Sequence, residues 1–103
     1  MSDSPRAERT VWRGLACTRL CLPNGDCAVV SDFGAQVLSW EAKGLERLFL
    51  SPRAVLDGSA PIRGGIPVCF PQFNQRGPLP KHGVVRRTTW EWQGAEVDEH
   101  TIT

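Results

Sequence analysis

The chain has 103 residues, enough for one domain, and its 41% hydrophobic and 22% charged content is typical of a globular protein and not of a disordered tail. A formal net charge of +1 gives no reason to expect nucleic acid or a membrane surface as a partner. No apolar run reaches the roughly 20 residues of a membrane helix, and residues 1–14 lack the apolar stretch of a secretory signal. We therefore expect a cytoplasmic protein.

Residues 15–51 predict an antiparallel β-meander. Runs at 15–22, 27–33, 35–42 and 46–51 have a period near two, which is typical of strands. Asn24-Gly25 and Lys43-Gly44 separate neighbouring runs, and Asn-Gly is the strongest short signal for a β-hairpin. We expect residues 1–14, which precede the meander, to form a flexible N-terminus.

Residues 52–83 are rich in proline and glycine and show no clean periodicity. An irregular segment of this length inside a domain is more often functional than a simple connection. Alternation resumes in residues 84–103, where the runs 87–94 and 96–103 predict strands. The last run reaches Thr103 without a turn or cap, and unpaired sheet edges would remain. We therefore expect a single partial domain, the N-terminal part of a longer protein.

The stretch "PIRGGIPVCFPQF", residues 61–73, places one cation on a stiff backbone. Its prolines hold the chain extended, and Gly64 and Gly65 permit a positive φ or a close backbone approach. Such a support favours anion binding by Arg63, because a preorganised side chain loses less entropy on binding. The alternative, a surface arginine paired with a nearby carboxylate, is equally compatible with the residues.

A second cationic cluster lies within residues 78–90 and comprises Lys81, His82, Arg86 and Arg87. In an extended segment Arg86 and Arg87 would point to opposite faces, so at most one of them would face a site. We assign Arg87 to the surface. The neighbouring cations should lower the pKa of His82 and favour its neutral imidazole. We interpret the other histidine, His100, as structural.

The four cysteines are Cys17, Cys21, Cys27 and Cys69. Their spacing differs from the paired C-x2-C of zinc sites, and without a secretory context we expect no disulfide framework. We interpret them as small buried hydrophobic residues. A zinc-binding structural domain is kept as an alternative that metal analysis of the purified protein would test.

The sequence "APIRGGIPVCFPQF" followed by "LPKHGVVRRTTWEW" resembles the glucose-6-phosphate 1-epimerase family, the hexose-6-phosphate mutarotases of the aldose 1-epimerase superfamily. The resemblance begins near Cys27 and covers about three quarters of the chain. It implies an all-β fold, the N-terminal part of a large antiparallel β-sandwich of the galactose mutarotase type, incomplete in this chain. The matching motif residues imply a substrate-binding set of Arg63, Lys81, His82 and Arg86.

The resemblance also implies an isomerase reaction, the interconversion of α and β anomers of a hexose 6-phosphate such as glucose 6-phosphate, without metal or cofactor. A general base takes the proton of the anomeric hydroxyl and a general acid protonates the ring oxygen, so that the ring opens and recloses. In the family a histidine acid and a glutamate base lie far downstream of HG-x-x-R. We therefore expect both catalytic residues beyond Thr103, no catalytic residue in this chain, and no activity from the chain alone.

The chain departs from the family pattern at three places: Lys81 stands where glutamine is common, Val84-Val85 where an aromatic-Ala pair is frequent, and Arg87 where asparagine is frequent. Which arginine would hold the phosphate is left open. We expect a monomeric full-length protein whose partner is the small sugar phosphate, with no nucleic acid and no membrane. A catalytically inactive phosphosugar-binding fragment or degenerate relative is the alternative.

Overall fold

The structure, a computed structural model, describes residues 4–103 and confirms the all-β fold class. Five antiparallel strands form one sheet in chain order: β1 Arg6–Trp12, β2 Leu15–Cys21, β3 Cys27–Ser31, β4 Val37–Ala42 and β5 Leu45–Glu46. A 3₁₀ turn follows at Val85–Arg87. Within residues 4–103 no helix is long and apolar enough to cross a membrane.

Both predicted hairpin turns are present. Between β2 and β3, Gly25 has a φ of 94°, and the side-chain oxygen of Asn24 accepts the Asp26 N–H at 2.9 Å. Between β4 and β5, Lys43 and Gly44 have φ values of 54° and 75°, as a two-residue type I′ hairpin requires. These turns confirm the meander and set the register of its central strands.

The N-terminal segment differs from the prediction, since residues 6–12 form a strand and not a flexible end. β1 pairs with β2 from Arg6 opposite Cys21 to Trp12 opposite Leu15. A side-chain clamp reinforces this ladder: the Arg9 guanidinium donates to both carboxylate oxygens of Asp32, at 2.8 and 2.5 Å. The clamp joins β1 to the chain just beyond β3, which a pattern read along the sequence does not show.

The predicted strand at 46–51 is wrong beyond its first residue, because β5 ends at Glu46. The Glu46 carboxylate accepts hydrogen bonds from the Ser39 hydroxyl and from the backbone N–H groups of Trp40 and Leu48. The Arg47 N–H still donates to the Trp40 carbonyl of β4 at 2.7 Å, and the chain leaves the β4 ladder after that bond. Further along, Leu50 forms only an isolated antiparallel bridge with Gly64.

The predicted strand at 87–94 is also wrong. Arg87 ends the 3₁₀ turn, and the segment after it forms only one bridge, between Thr89 and Phe33. Alternation in sequence did not produce a strand here, because within residues 4–103 the segment lacks a neighbouring strand to complete its ladder.

The predicted strand at 96–103 is wrong as well, because this segment folds back on itself. The backbones of Glu96 and Thr103 exchange two hydrogen bonds, each 2.8 Å long. Between them the Asp98 carboxylate accepts the N–H groups of His100 and Thr101 at 2.8 Å. The segment up to Thr103 is thus a tight turn and not the open strand that its alternation predicted.

The cysteine prediction needs correction at one pair. Cys21 and Cys27 lie opposite each other in the β2–β3 register and form a disulfide, with a Cα–Cα distance of 4.2 Å. Cys17 is a free thiol that is fully buried, as a small hydrophobic residue would be, and Cys69 is free and partly buried. Two of the four sulfurs are thus bonded to each other, which is not the arrangement of a four-cysteine zinc domain.

One face of the sheet is covered by the irregular segment that follows it. The buried core cluster consists of Leu15, Cys17, Val29, Phe33, Leu38 and Ile62, and the partly buried residues Trp12, Leu50, Ala54 and Leu56 pack against it. Ile62 therefore anchors the irregular segment to the sheet through apolar contact. Because Arg63 is the next residue, this anchor fixes where its side chain leaves the core.

Candidate functional site: a cationic cleft

A cleft of about 570 Å³ lies between one stretch of the irregular segment and the residues at and just beyond its end. We call the stretch 60–67 the first wall and the stretch 81–87 the second wall. The cleft is lined by Ala60, Pro61, Ile62, Arg63, Gly64, Gly65, Pro67, Lys81, His82, Arg86 and Arg87. All four residues proposed from the sequence as substrate contacts, Arg63, Lys81, His82 and Arg86, line this one cleft.

The first wall is held by backbone contacts that only glycine permits. A Cβ on Gly65, whose φ is 61°, would lie 2.1 Å from the Val37 carbonyl oxygen, well inside any tolerable contact. The Gly65 N–H donates to the Phe49 carbonyl at 2.8 Å. Ile66 and Val37 exchange two backbone hydrogen bonds at 2.9 and 3.2 Å. The turn after Arg63 is therefore pressed directly against the start of β4.

A buried glutamine holds the backbone on both sides of Arg63. Gln36 is 1% exposed, and its Nε2 donates to the carbonyl oxygens of Ile62, at 3.1 Å, and Gly64, at 2.5 Å. Both backbone neighbours of Arg63 are thereby tied to one side chain, so the Arg63 Cα has little freedom. Sequence reasoning missed Gln36; its signal was a polar residue within the apolar run before β4.

The second wall begins at a close contact between two loop segments. Gly83, with a φ of 77°, lies so near Phe70 that a Cβ would be 2.3 Å from the Phe70 carbonyl oxygen. That same carbonyl accepts the N–H groups of Val84 and Val85 at 3.1 and 3.3 Å. This contact fixes the start of the 3₁₀ turn that carries the arginines.

A second buried glutamine, also missed from the sequence, organises the proline-rich loop between the walls. Gln72 is 8% exposed; its Oε1 accepts the Leu79 N–H at 2.9 Å, and its Nε2 donates to the carbonyls of Asn74 and Leu79 at 2.8 and 3.0 Å. The loop closes around these bonds. Asn74 then meets His82, whose backbone N–H donates to the Asn74 carbonyl at 2.9 Å.

The tautomer of His82 follows from its neighbours. The Asn74 backbone N–H donates to Nδ1 at 3.0 Å, so the neutral ring carries its proton on Nε2. Desolvation lowers the pKa of His82, and the positive charges of Arg86 and Lys81 lower it further. The predicted direction of the shift is therefore found, with desolvation as its largest cause. At neutral pH the ring is a neutral hydrogen-bond donor in the cleft.

Arg86 has a buried donor without an acceptor. Its Nη2 donates to the Lys81 carbonyl at 3.0 Å, which holds the guanidinium against the second wall. Its Nε is buried, and within residues 4–103 no partner accepts its proton. An unpaired buried donor costs about 1–3 kcal/mol, and Nε, being buried, is not itself open to a ligand in the cleft.

Arg87 is exposed, as its assignment to the surface predicted, and it also lines the cleft. The prediction assumed an extended chain, in which successive side chains point to opposite faces. The backbone is instead a 3₁₀ turn, in which successive residues are about 120° apart. Both arginines can therefore reach one side of the wall. The adjacent Arg-Arg pair was visible in the sequence, and only the backbone conformation was misjudged.

The charged side chains that line the cleft are all positive. Its lining contains four cations, Arg63, Lys81, Arg86 and Arg87, and the described lining residues include no aspartate or glutamate. Guanidinium groups form paired, charge-assisted hydrogen bonds with planar or tetrahedral anions. The arrangement is suited to binding an anion; proton transfer at neutral pH would have only His82 available among these residues.

The chain is thus an all-β protein that carries a cationic cleft built from loops. The family model described as aldose 1-epimerase matches residues 17–103. The match covers most of the chain, and the protein belongs to the aldose 1-epimerase family.

Three curated relatives carry the name "Putative glucose-6-phosphate 1-epimerase". The one from Cenchrus ciliaris is 43% identical over 81% of this chain and 23% of its own length. Those from Escherichia coli and Salmonella typhimurium are 44% and 36% identical, over 55% and 67% of this chain and 20% and 24% of their own lengths. The chain thus spans about a quarter of the length of the curated relatives it matches.

A solved structure, titled as the crystal structure of HI1317, is similar in fold. The superposition has a TM-score of 0.70 at 26% sequence identity and covers 99% of this chain and 40% of the other. The five-stranded sheet and the irregular segment over it therefore correspond to one part of a larger all-β fold. This agrees with the expectation of a partial β-sandwich of the mutarotase type.

Proposed function

We propose that the cationic cleft binds the phosphate and sugar oxygens of a hexose 6-phosphate, and that the complete protein interconverts the α and β anomers of that sugar. The observation that carries the proposal is the convergence of Arg63 and Arg86 from two separately braced walls on a cleft without carboxylates. Family membership supports sugar anomer chemistry, and the names of the relatives support glucose 6-phosphate as the substrate.

The side chains of the cleft differ in chemistry, so each would contact a different part of the ligand. Arg86 offers its guanidinium from the second wall, and Arg63 offers a guanidinium on a fixed backbone, so both suit a dianionic phosphate. His82 offers Nε2–H to a sugar hydroxyl without adding a charge. Lys81, which is exposed, adds a further cation to the lining.

Catalysis needs a general base and a general acid within reach of the anomeric oxygen and the ring oxygen. The described lining residues of the cleft offer His82 and no carboxylate. We therefore assign substrate binding to this chain, and we assign the histidine acid and the glutamate base to a part of the complete protein beyond Thr103. A cytoplasmic location and a monomeric state of that protein remain predictions.

Calorimetric titration with glucose 6-phosphate tests the binding proposal. We expect Arg63→Ala and Arg86→Ala each to raise the Kd by roughly tenfold, because each removes a charge-assisted hydrogen bond. Arg53→Ala is the matched control, since Arg53 is exposed and does not line the cleft. Equal Kd values for all four proteins, or equal binding of free glucose, would contradict the proposal.

The second candidate function is phosphosugar binding without turnover, favoured by the absence of a carboxylate among the described cleft residues. A coupled anomerisation assay separates the two. We expect the 103-residue chain to give no rate above the buffer reaction while it still binds glucose 6-phosphate. Catalysis by this chain alone would overturn our placement of the acid and base beyond Thr103.

A further inference from the structure

His82 has a backbone conformation that its residue type does not favour. Its φ is 65°, in the left-handed region that residues other than glycine adopt only at a cost. Asn74, which it contacts, is also left-handed, with a φ of 51°. Such residues persist only where the surrounding structure holds them, and backbone outliers of this kind concentrate at binding sites. We therefore looked for the group that holds His82 and Asn74 in place.

A reciprocal pair of hydrogen bonds joins Asn74 to His82. The Asn74 N–H donates to His82 Nδ1 at 3.0 Å, and the His82 N–H donates to the Asn74 carbonyl at 2.9 Å. The Phe73 ring lies beside the imidazole, with 5.2 Å between the two ring centroids. The orientation of the imidazole in the cleft therefore depends on the position of the Asn74 backbone.

The Gln72 side-chain amide connects both sides of this pair. Its Nε2 donates at 2.8 Å to the Asn74 carbonyl, the same oxygen that accepts the His82 N–H. Nε2 also donates to the Leu79 carbonyl at 3.0 Å, and Oε1 accepts the Leu79 N–H at 2.9 Å. One buried amide, 8% exposed, thus joins the residue that bonds the imidazole to the segment that leads into His82.

We propose that Gln72 is a positioning residue for ligand binding: through Asn74 it holds the His82 ring so that Nε2–H faces the sugar in the cleft. The inference rests on the proposed function, since it assumes that the cleft holds a phosphosugar and that His82 donates to one of its hydroxyl groups. Gln72 itself does not line the cleft, so its effect on the ligand is transmitted through His82. A ring that is oriented before binding loses less entropy when it donates to the ligand.

Nuclear magnetic resonance of the ¹⁵N-labelled His82 ring tests the positioning without a ligand. In the unmodified chain we expect the Nε2–H tautomer with a hydrogen-bonded Nδ1. Gln72→Met keeps the approximate length of the side chain but removes the amide. We expect its Nδ1 signal to move toward that of an unbonded nitrogen and the pKa of His82 to rise, because a hydrogen bond to Nδ1 favours the neutral ring. Gln75→Met, at an exposed glutamine of the same loop, should change neither.

A double-mutant cycle on the calorimetric affinity for glucose 6-phosphate tests the transmission. We expect Gln72→Met to raise the Kd roughly fivefold in the unmodified chain. In the His82→Ala background we expect it to raise the Kd by less than about twofold, because the residue through which Gln72 acts is gone. A general loosening of the second wall would weaken binding by the same factor in both backgrounds. Equal factors, or an unchanged Nδ1 signal in Gln72→Met, would overturn the inference.

Gly77→Ala is a second variant that serves if Gln72→Met does not fold. A Cβ on Gly77 would lie 2.5 Å from Gln72 Oε1, so alanine displaces the amide without removing it. We expect the His82 signals to change in the same direction and by less. Circular dichroism verifies the fold of each variant.

The outcomes separate this inference from the proposed function. If glucose 6-phosphate binds but the His82 signals respond in neither variant, the inference fails and the proposed function stands. If the His82 signals respond but glucose 6-phosphate does not bind, the proposed function fails, and with it the role of Gln72 in binding.

Discussion

Gly44 and Gly65 show how differently the sheet and the cleft are built. Both have a left-handed backbone, with φ values of 75° and 61°. Around Gly44 nothing lies within 4 Å of a hypothetical Cβ, and the turn is determined by its own two residues. Around Gly65 the backbone of β4 fills that space. The meander is thus specified locally, whereas the cleft depends on contacts between segments far apart in sequence.

The largest expected effect comes from substituting the two glycines of this comparison. Gly65→Ala forces a Cβ into the Val37 carbonyl as well as an unfavourable φ, and we expect a loss of about 5 kcal/mol or more in the free energy of unfolding. Gly44→Ala carries only the cost of the left-handed backbone, about 1–2 kcal/mol. Urea denaturation of both variants measures the difference. Equal losses would show that the first wall is not pressed against β4.

The next effect concerns the core that the two regions share. Leu38 is 1% exposed and belongs to the same cluster as Ile62, the residue that anchors the first wall. We expect Leu38→Ala to lower the free energy of unfolding by about 3 kcal/mol through the lost contacts and the cavity. Leu45→Ala, at a side chain that is 59% exposed, is the control and should change it little.

A similar loss from both leucine substitutions would mean that Leu38 does not lie in the core. The same urea curves should also show whether the sheet and the cleft unfold together. Because Leu38 and Ile62 are in one cluster, we expect a single transition in the unmodified protein.

A smaller effect is expected from a substitution that loosens the cleft and leaves the sheet unchanged. Gln36→Leu keeps the approximate volume of the side chain but removes the donor to the Ile62 and Gly64 carbonyls. We expect a loss of about 2 kcal/mol in stability, together with weaker binding of glucose 6-phosphate because Arg63 is no longer held. Gln75→Leu, at an exposed position, serves as the control. Unchanged affinity in Gln36→Leu would show that Arg63 does not depend on this brace.

The smallest effect concerns how the stability of the sheet changes with pH. The hydrogen bond from Arg9 holds the pKa of Asp32 below its ordinary value. The resulting stabilisation is present above the unfolded pKa of about 3.9 and is lost as the pH falls through the lower folded value. We therefore expect Arg9→Gln to melt at a lower temperature than the unmodified protein at about pH 6, with the gap narrowing at strongly acidic pH. A gap that is independent of pH would contradict this pairing.

The sequence allowed good prediction of what depends on neighbours in the chain. Alternation and turn residues predicted β2, β3 and β4, and the hairpins at Gly25 and Gly44 were correct. The same alternation failed for 87–94 and 96–103. There a 3₁₀ turn, the side chain of Asp98 and the backbone pairing of Glu96 with Thr103 determine the path of the chain. Periodicity therefore identifies segments able to form strands, and pairing decides which of them do.

The site was predictable in its charged residues and not in its supports. Arg63, Lys81, His82 and Arg86 could be named because their motifs are compact in sequence. Gln36 could not, because its role depends on reaching carbonyls 26 and 28 residues away. Arg87 is exposed as predicted, but it lies in a 3₁₀ turn where an extended chain was assumed. The sequence pattern does not reveal long-range hydrogen bonds or the local backbone geometry, so these two features could not be predicted.

The central claim is that the two walls, and not the sheet, form one anion-binding cleft. Nuclear magnetic resonance of the ¹⁵N-labelled chain during titration with glucose 6-phosphate tests it most directly. We predict saturable shifts of the backbone amides in residues 62–66 and 81–87, with β1 and β2 unaffected. Shifts confined to only one wall, shifts concentrated in β1 to β3, or no shifts at saturating ligand would contradict the account.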